Sequence, residues 1–245
     1  MGISGFTVRP PRARREKPKV SAFTSACVEE ILRLEPDLVI GFSDIQADIA
    51  QALIKRGVEV WIANHRSVDG IVAYVERLGA MVGAYEKACA YAATLRAHVD
   101  EVRAAAKKLS RRPRVYFEEW DEPPISCIRW VSELISIAGG DDIFPERAAC
   151  SLGRDRILED ASEVLRRAPD IIVGSWCGKK FRPEKVAARP GWSAIPAVRD
   201  AEVHEVKSPI ILQPGPAALT DGLDALHGIV ARWSGKHAER EGVRA

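Results

Sequence analysis

The chain repeats itself. Glu29 to Ser43 reads EEILRLEPDLVIGFS and Ser162 to Trp176 reads SEVLRRAPDIIVGSW, a gapless match at an offset of 133 with six of fifteen positions identical. Each copy has a short amphipathic stretch, a Pro-Asp stop, a run of consecutive apolar residues and a glycine where that run ends. Pro36 and Pro169 lack the N–H that a helix needs, so each helix ends before them. The apolar run does not alternate with polar residues, which suits a strand covered on both faces of a parallel sheet. One copy in each half of a 245-residue chain points to two related α/β lobes.

Further alternations surround each copy. Strands are expected at Gly2–Phe6, Val20–Phe23, Leu38–Phe42 and Val58–Ala63, with helices at Ser43–Lys55 and Val68–Met81. Ser43 and Gln46 have the spacing of a capping box. In the second half, strands at Arg114–Glu118, Ile171–Gly174 and Glu202–Val206 alternate with helices at Ile128–Ile137, Ala161–Arg167 and Pro216–Trp233. Between the halves, Ala84–Ser110 has no Gly or Pro, and Ala88, Ala92, Leu95, Val99, Val102 and Ala106 recur at helical spacing. The expected organisation is an N-terminal α/β lobe over 1–83, a connecting backbone helix over 84–110 and a C-terminal α/β lobe over 111–245. Two shorter helices within one continuous sheet are the alternative.

Several function classes fall away. Lys and Arg number 36 against 34 for Asp and Glu, so no global field gathers nucleic acid or anionic membrane. The basic stretch Arg9–Lys19 reads as a solvated loop. There is no run of 18 apolar residues and no secretory h-region after Met1. Cys27, Cys89, Cys127, Cys150 and Cys177 form no CxxC pair and no disulfide framework. The histidines have no metal-binding spacing, and no metal or catalytic residue is assigned. The loop Gly174–Lys180 is too short between its glycines to be a phosphate loop. Cys177 with His204 has no motif that fixes it as a nucleophile and base. Glu118 and Glu119 are strand neighbours, so they point to opposite faces.

Ligands of open parallel sheets bind beyond the carboxyl ends of the strands. Here those ends are aromatic: Phe42-Ser43-Asp44 and Trp176-Cys177 close the two repeats, and Phe6, Phe23 and Trp120 close other strands, in a chain that is only 7% aromatic. Lobes facing each other across such ends would make a cleft suited to a large planar ligand. Aromatic caps over a sheet core would give the same pattern.

The segment KVSAFTSACVEEILRLEPDLVIGFSDIQADIAQALIKRGVEVWIANHRSVDGI, the long helix, EEWDEPPISCIRWVSELISIAGGDDIF and APDIIVGSW together resemble the cobalamin-type periplasmic binding proteins of ABC importers. The resemblance runs from Gly2 to about Trp233. It implies two lobes joined by one long helix, with a corrinoid held flat between them by aromatic contacts and no catalytic cofactor. The cleft contacts would fall on Phe6, Phe23, Thr24, Phe42, Ser43, Asp44, Trp120, Trp130, Trp176 and Gln213. It implies an ABC permease as partner, docking to Glu29 on one lobe and, since position 162 is Ser, to Glu163 on the other. A periplasmic location is expected by resemblance. A cytosolic tetrapyrrole or siderophore sensor is the alternative, favoured by Ser162 and by the lack of a signal before Gly2; the first strand and helix expected there imply either a start lying upstream or a short form with an incomplete first lobe. Such an incomplete first lobe would leave strand edges open and invite homo-oligomers.

Overall fold

The periodicity over Ala84–Ser110 is realised as a helix, Tyr85–Ala106, in the computed structural model, which describes residues 1–242. Its buried face is Ala88, Ala92, Leu95, Val99, Val102 and Ala106, the six positions whose spacing marked it. It packs closest against the helix Val68–Met81, whose N-cap Ser67 accepts from the Gly70 N–H at 3.0 Å. The chain divides into two units, Met1–His65 and Arg66 onward, and both helices belong to the second.

Within Met1–His65, β1 (Ile3–Ser4) pairs with β2 (Lys19–Ser21), and β3 (Val39–Phe42) pairs with β4 (Val60–Ala63), both parallel. The helices Pro11–Glu16, Val28–Leu32 and Ala47–Ile54 connect them. β3 was expected to be covered on both faces, and it is not: Ile40 is 39% exposed and the other three residues are only half-buried. The following helix starts at Ala47 instead of Ser43, after a 3-10 turn over Asp44–Gln46. Ser43 sits at φ 75° and makes no cap, so the expected capping box does not form.

From Arg66 on, the order across the main sheet is β6-β5-β8-β9, made of β5 (Arg114–Asp121), β6 (Pro124–Ser126), β8 (Ile171–Gly174) and β9 (Val203–Glu205). β7 (Asp141–Asp142) pairs with the start of β5, while β6 forms an antiparallel hairpin on its end. The β5-β8 and β8-β9 ladders are parallel. β8 lies between two strands and every residue of it is buried, as its unbroken apolar run demands. On one face Tyr116 and Ile172 join Phe144, Trp176, Phe181 and Trp192 in a core cluster. The helices Arg129–Ala138 and Leu223–Gly242 pack on each other and on Tyr85–Ala106. The fold is thus α/β with parallel-type sheets.

The internal repeat extends to backbone strain. Glu35 and Ala168, 133 residues apart, both take a left-handed φ (46° and 41°) just before the prolines that stop their helices. A proline disfavours right-handed helical backbone at the residue preceding it; in the second copy that residue is the helix C-cap, and in the first it comes two residues after the C-cap Arg33.

Candidate functional site

In Met1–His65 the carboxyl ends of the strands carry most of the exposed aromatic surface. Phe6 follows β1 at 49% exposure and Phe23 follows β2 at 55%, with Thr24 exposed beside it. Phe42 ends β3 and is half-buried. Gln46 ties two of these ends together: its Oε1 accepts from the Phe42 N–H at 2.7 Å and its Nε2 donates to the Phe23 carbonyl at 2.8 Å. Ser43 is buried, and its Oγ donates to the exposed Asp44 carboxylate at 2.6 Å. His65 comes two residues after β4 and meets the Phe42 ring edge-on at 5.3 Å. Sequence reasoning passed over His65 because it sought metal spacings. Its place after a strand paired with β3 was the available signal.

In the second unit the strand ends are organised around buried charge. Glu118, fully buried, accepts from Tyr116 Oη at 3.0 Å, Trp176 Nε1 at 3.1 Å and both terminal nitrogens of Arg189 at 2.6 and 2.9 Å. Arg189 in turn lies over the Trp192 ring at 4.5 Å. Burial, then the Glu118 charge, pushes the Tyr116 phenol well above its ordinary range, so it stays a donor. Glu119, on the opposite side of the strand, pairs with the buried Arg156. Burial raises the Glu119 carboxyl more than Arg156 lowers it.

The expected aromatic residues divide into two groups here. Trp120 is half-buried, with Nε1 donating to the Glu122 carbonyl at 3.0 Å. Trp130 and Trp176 are each about 3% exposed: Trp130 Nε1 donates to the Ile211 carbonyl at 2.9 Å, and Trp176 packs edge-on to Phe181 at 4.8 Å. Their rings are covered by protein atoms. Gln213 is exposed on the turn after the short helix Ser208–Ile211.

Cys177 and His204 do not pair. His204 Nε2 contacts Glu202 at 2.8 Å, and the Cys177 thiol is raised by burial and by the Glu119 charge, the reverse of an activated nucleophile. Among the described residues no group of three or more His, Cys, Asp or Glu side chains is arranged to hold a metal ion, and no helix is long and apolar enough to cross a membrane. Of the two expected docking carboxylates, exposed Glu29 is held by Arg56 at 2.6 and 3.2 Å. The hydrogen bond from Arg56 lowers its pKa. Glu163 contacts Arg167 at 3.0 Å and Arg147 at 3.6 Å.

Residues 1–209 match the family model described as periplasmic binding protein. The chain is 24% identical over 208 residues to YvrC of Bacillus subtilis, an uncharacterized ABC transporter substrate-binding lipoprotein, covering 81% of this chain and 63% of that protein. It is 25% identical over 170 residues to a vitamin B12-binding protein of Vibrio campbellii, covering 67% and 59%. The chain therefore spans less than two thirds of either relative's length. Among solved structures, the periplasmic vitamin B12 binding protein BtuF of Vibrio cholerae superposes with a TM-score of 0.75 at 20% identity, over 95% of this chain and 88% of that one. The periplasmic heme-binding protein BhuT, in complex with two hemes, gives 0.80 at 21% identity, over 96% and 89%.

Proposed function

The chain belongs to the periplasmic binding protein family, and from that premise we propose that it is the extracytoplasmic substrate-binding component of an ABC importer for a corrinoid. The observation that carries this reading is the exposed or half-exposed aromatic series Phe6, Phe23 and Phe42 at the carboxyl ends of the parallel strands of Met1–His65; in the second unit, taken by itself, half-buried Trp120 lies at the end of β5. Such faces take up large planar surfaces by stacking and desolvation. Thr24 and Asp44 supply hydrogen bonds in the first unit and Gln213 in the second, where Trp130 and Trp176 are core residues. Glu29 and Glu163 serve as the carboxylates that meet the permease. The vitamin B12-binding relatives favour a corrinoid over other planar complexes.

Absorbance titration with cyanocobalamin, hemin and a ferric hydroxamate tests the assignment. Saturable change with cyanocobalamin at micromolar protein is the expected result. Saturation with hemin or the hydroxamate alone reassigns the ligand, and no saturable change with any of them overturns the reading.

A further inference from the structure

Trp120 has a neighbour that stacking alone does not use. The Lys179 ammonium donates to both oxygens of Asp121, at 2.8 and 2.6 Å, and lies 5.3 Å from the Trp120 ring and 5.2 Å from the Trp176 ring. Asp121 is 4% exposed, whereas the Lys179 side chain is 37% exposed. The ammonium thus caps a buried carboxylate and stands over the half-buried indole, with part of the lysine side chain open to solvent. An ammonium has three donors and Asp121 engages two, which leaves one N–H directed away from the carboxylate. The aliphatic stem is held by the charge pair and the rings, so this donor is pre-positioned.

We propose that Trp120 and Lys179 form a two-point recognition element, in which a planar ligand stacks on the indole while an oxygen acceptor on its rim takes the remaining N–H of Lys179. This rests on the reading of the chain as a binder of planar metal complexes, and it adds a chemical requirement to it. The ligand edge that meets Trp120 carries an oxygen acceptor, and a cationic edge is rejected. Amide carbonyls of a corrinoid and carboxylates of a heme share that chemistry.

The test is absorbance titration of wild type, K179M, K179R and D121N/K179M with cyanocobalamin and with hemin. K179M keeps the stem and removes the charge, but it leaves Asp121 buried without a counter-ion. The double variant removes both charges together and avoids that penalty. Circular dichroism checks that each variant is folded. The expected result is a loss of about tenfold or more in affinity for the ligand that wild type binds, in folded K179M and in the double variant, with K179R within about threefold of wild type. A loss with cyanocobalamin assigns the acceptor to amides, and a loss with hemin assigns it to carboxylates. Unchanged or tighter binding by the folded variants overturns the inference while the planar-ligand reading stands. Absence of saturable binding by wild type to either ligand overturns both.

Discussion

Glu118 decides how the strand ends of the second unit are built. A fully buried carboxylate must have its lone pairs met, and here a phenol, an indole and a bidentate guanidinium meet them. Removing Arg189 leaves that charge buried and uncompensated. R189M is therefore expected to lose about 3–5 kcal/mol of stability in urea unfolding, the range for breaking a buried ion pair from one side. Glu202 gives a pH signature. Burial alone would raise its carboxyl, but Lys236 at 2.7 Å and His204 at 2.8 Å outweigh burial, and its pKa lies below the ordinary value of 4.5. Its contribution is fully present above that ordinary value and is lost as the pH falls through the lowered one. E202Q should accordingly flatten the acid limb of the urea midpoint between neutral pH and pH 3 relative to wild type. A parallel limb in both proteins would contradict the assignment. At this scale the sequence was partly legible. Opposite faces for Glu118 and Glu119 followed from strand geometry, but Arg189 is 71 residues from Glu118 and Lys179 is 58 from Asp121. Nothing local marks such pairs. The inward turn of Trp176 followed from the same hidden partner, because Glu118 accepts its indole N–H.

Helices and strands were more legible, since their burial follows periodicity. The face of Tyr85–Ala106 matched position for position, and its small residues have a packing consequence that the spacing alone did not reveal. A Cβ on Gly79 would stand 2.1 Å from the Ala88 Cβ and 3.1 Å from the Ala84 carbonyl oxygen. The helices Val68–Met81 and Tyr85–Ala106 thus approach closely because both residues are small. G79A should cost about 1–3 kcal/mol by overpacking, and G79A/A88G should recover part of that loss beyond the helix-propensity cost of the second glycine. A double-mutant cycle on unfolding midpoints reads the coupling, and additive losses would place the strain elsewhere. The two repeat strands show where periodicity stops informing. Both runs are continuously apolar, yet only β8 has a strand on each side, while β3 has one neighbour and an exposed Ile40. Composition specifies a strand that tolerates cover. Neighbouring chain segments decide whether cover arrives. The hairpin strand β6 and the two-residue β7 went unread for a related reason, being too short to show a period.

For the whole molecule, the α/β class and the family were legible because both rest on patterns spread along the chain. The ligand rests on a few side chains at strand ends, where aromatic residues serve stacking and core capping equally well. That is why Trp120 is half-buried while Trp176, in the corresponding position of the next strand, lies in the core. The first unit has a related consequence. Its two-stranded sheets keep open edges, and Phe6, Phe23, Ile40 and Ile54 are all exposed. Edges of that kind pair with other chains, so light scattering of the ligand-free chain is expected to give a mass above the 26.9 kDa of one copy. A clean single-copy mass would contradict that expectation. The most direct test of the central claim is calorimetric titration of the full chain with cyanocobalamin, alongside F23A and F42A. One saturable site in wild type, weakened about tenfold or more by each truncation, is the predicted result. Wild-type heats that do not saturate, or saturation indifferent to both aromatics, would contradict the account.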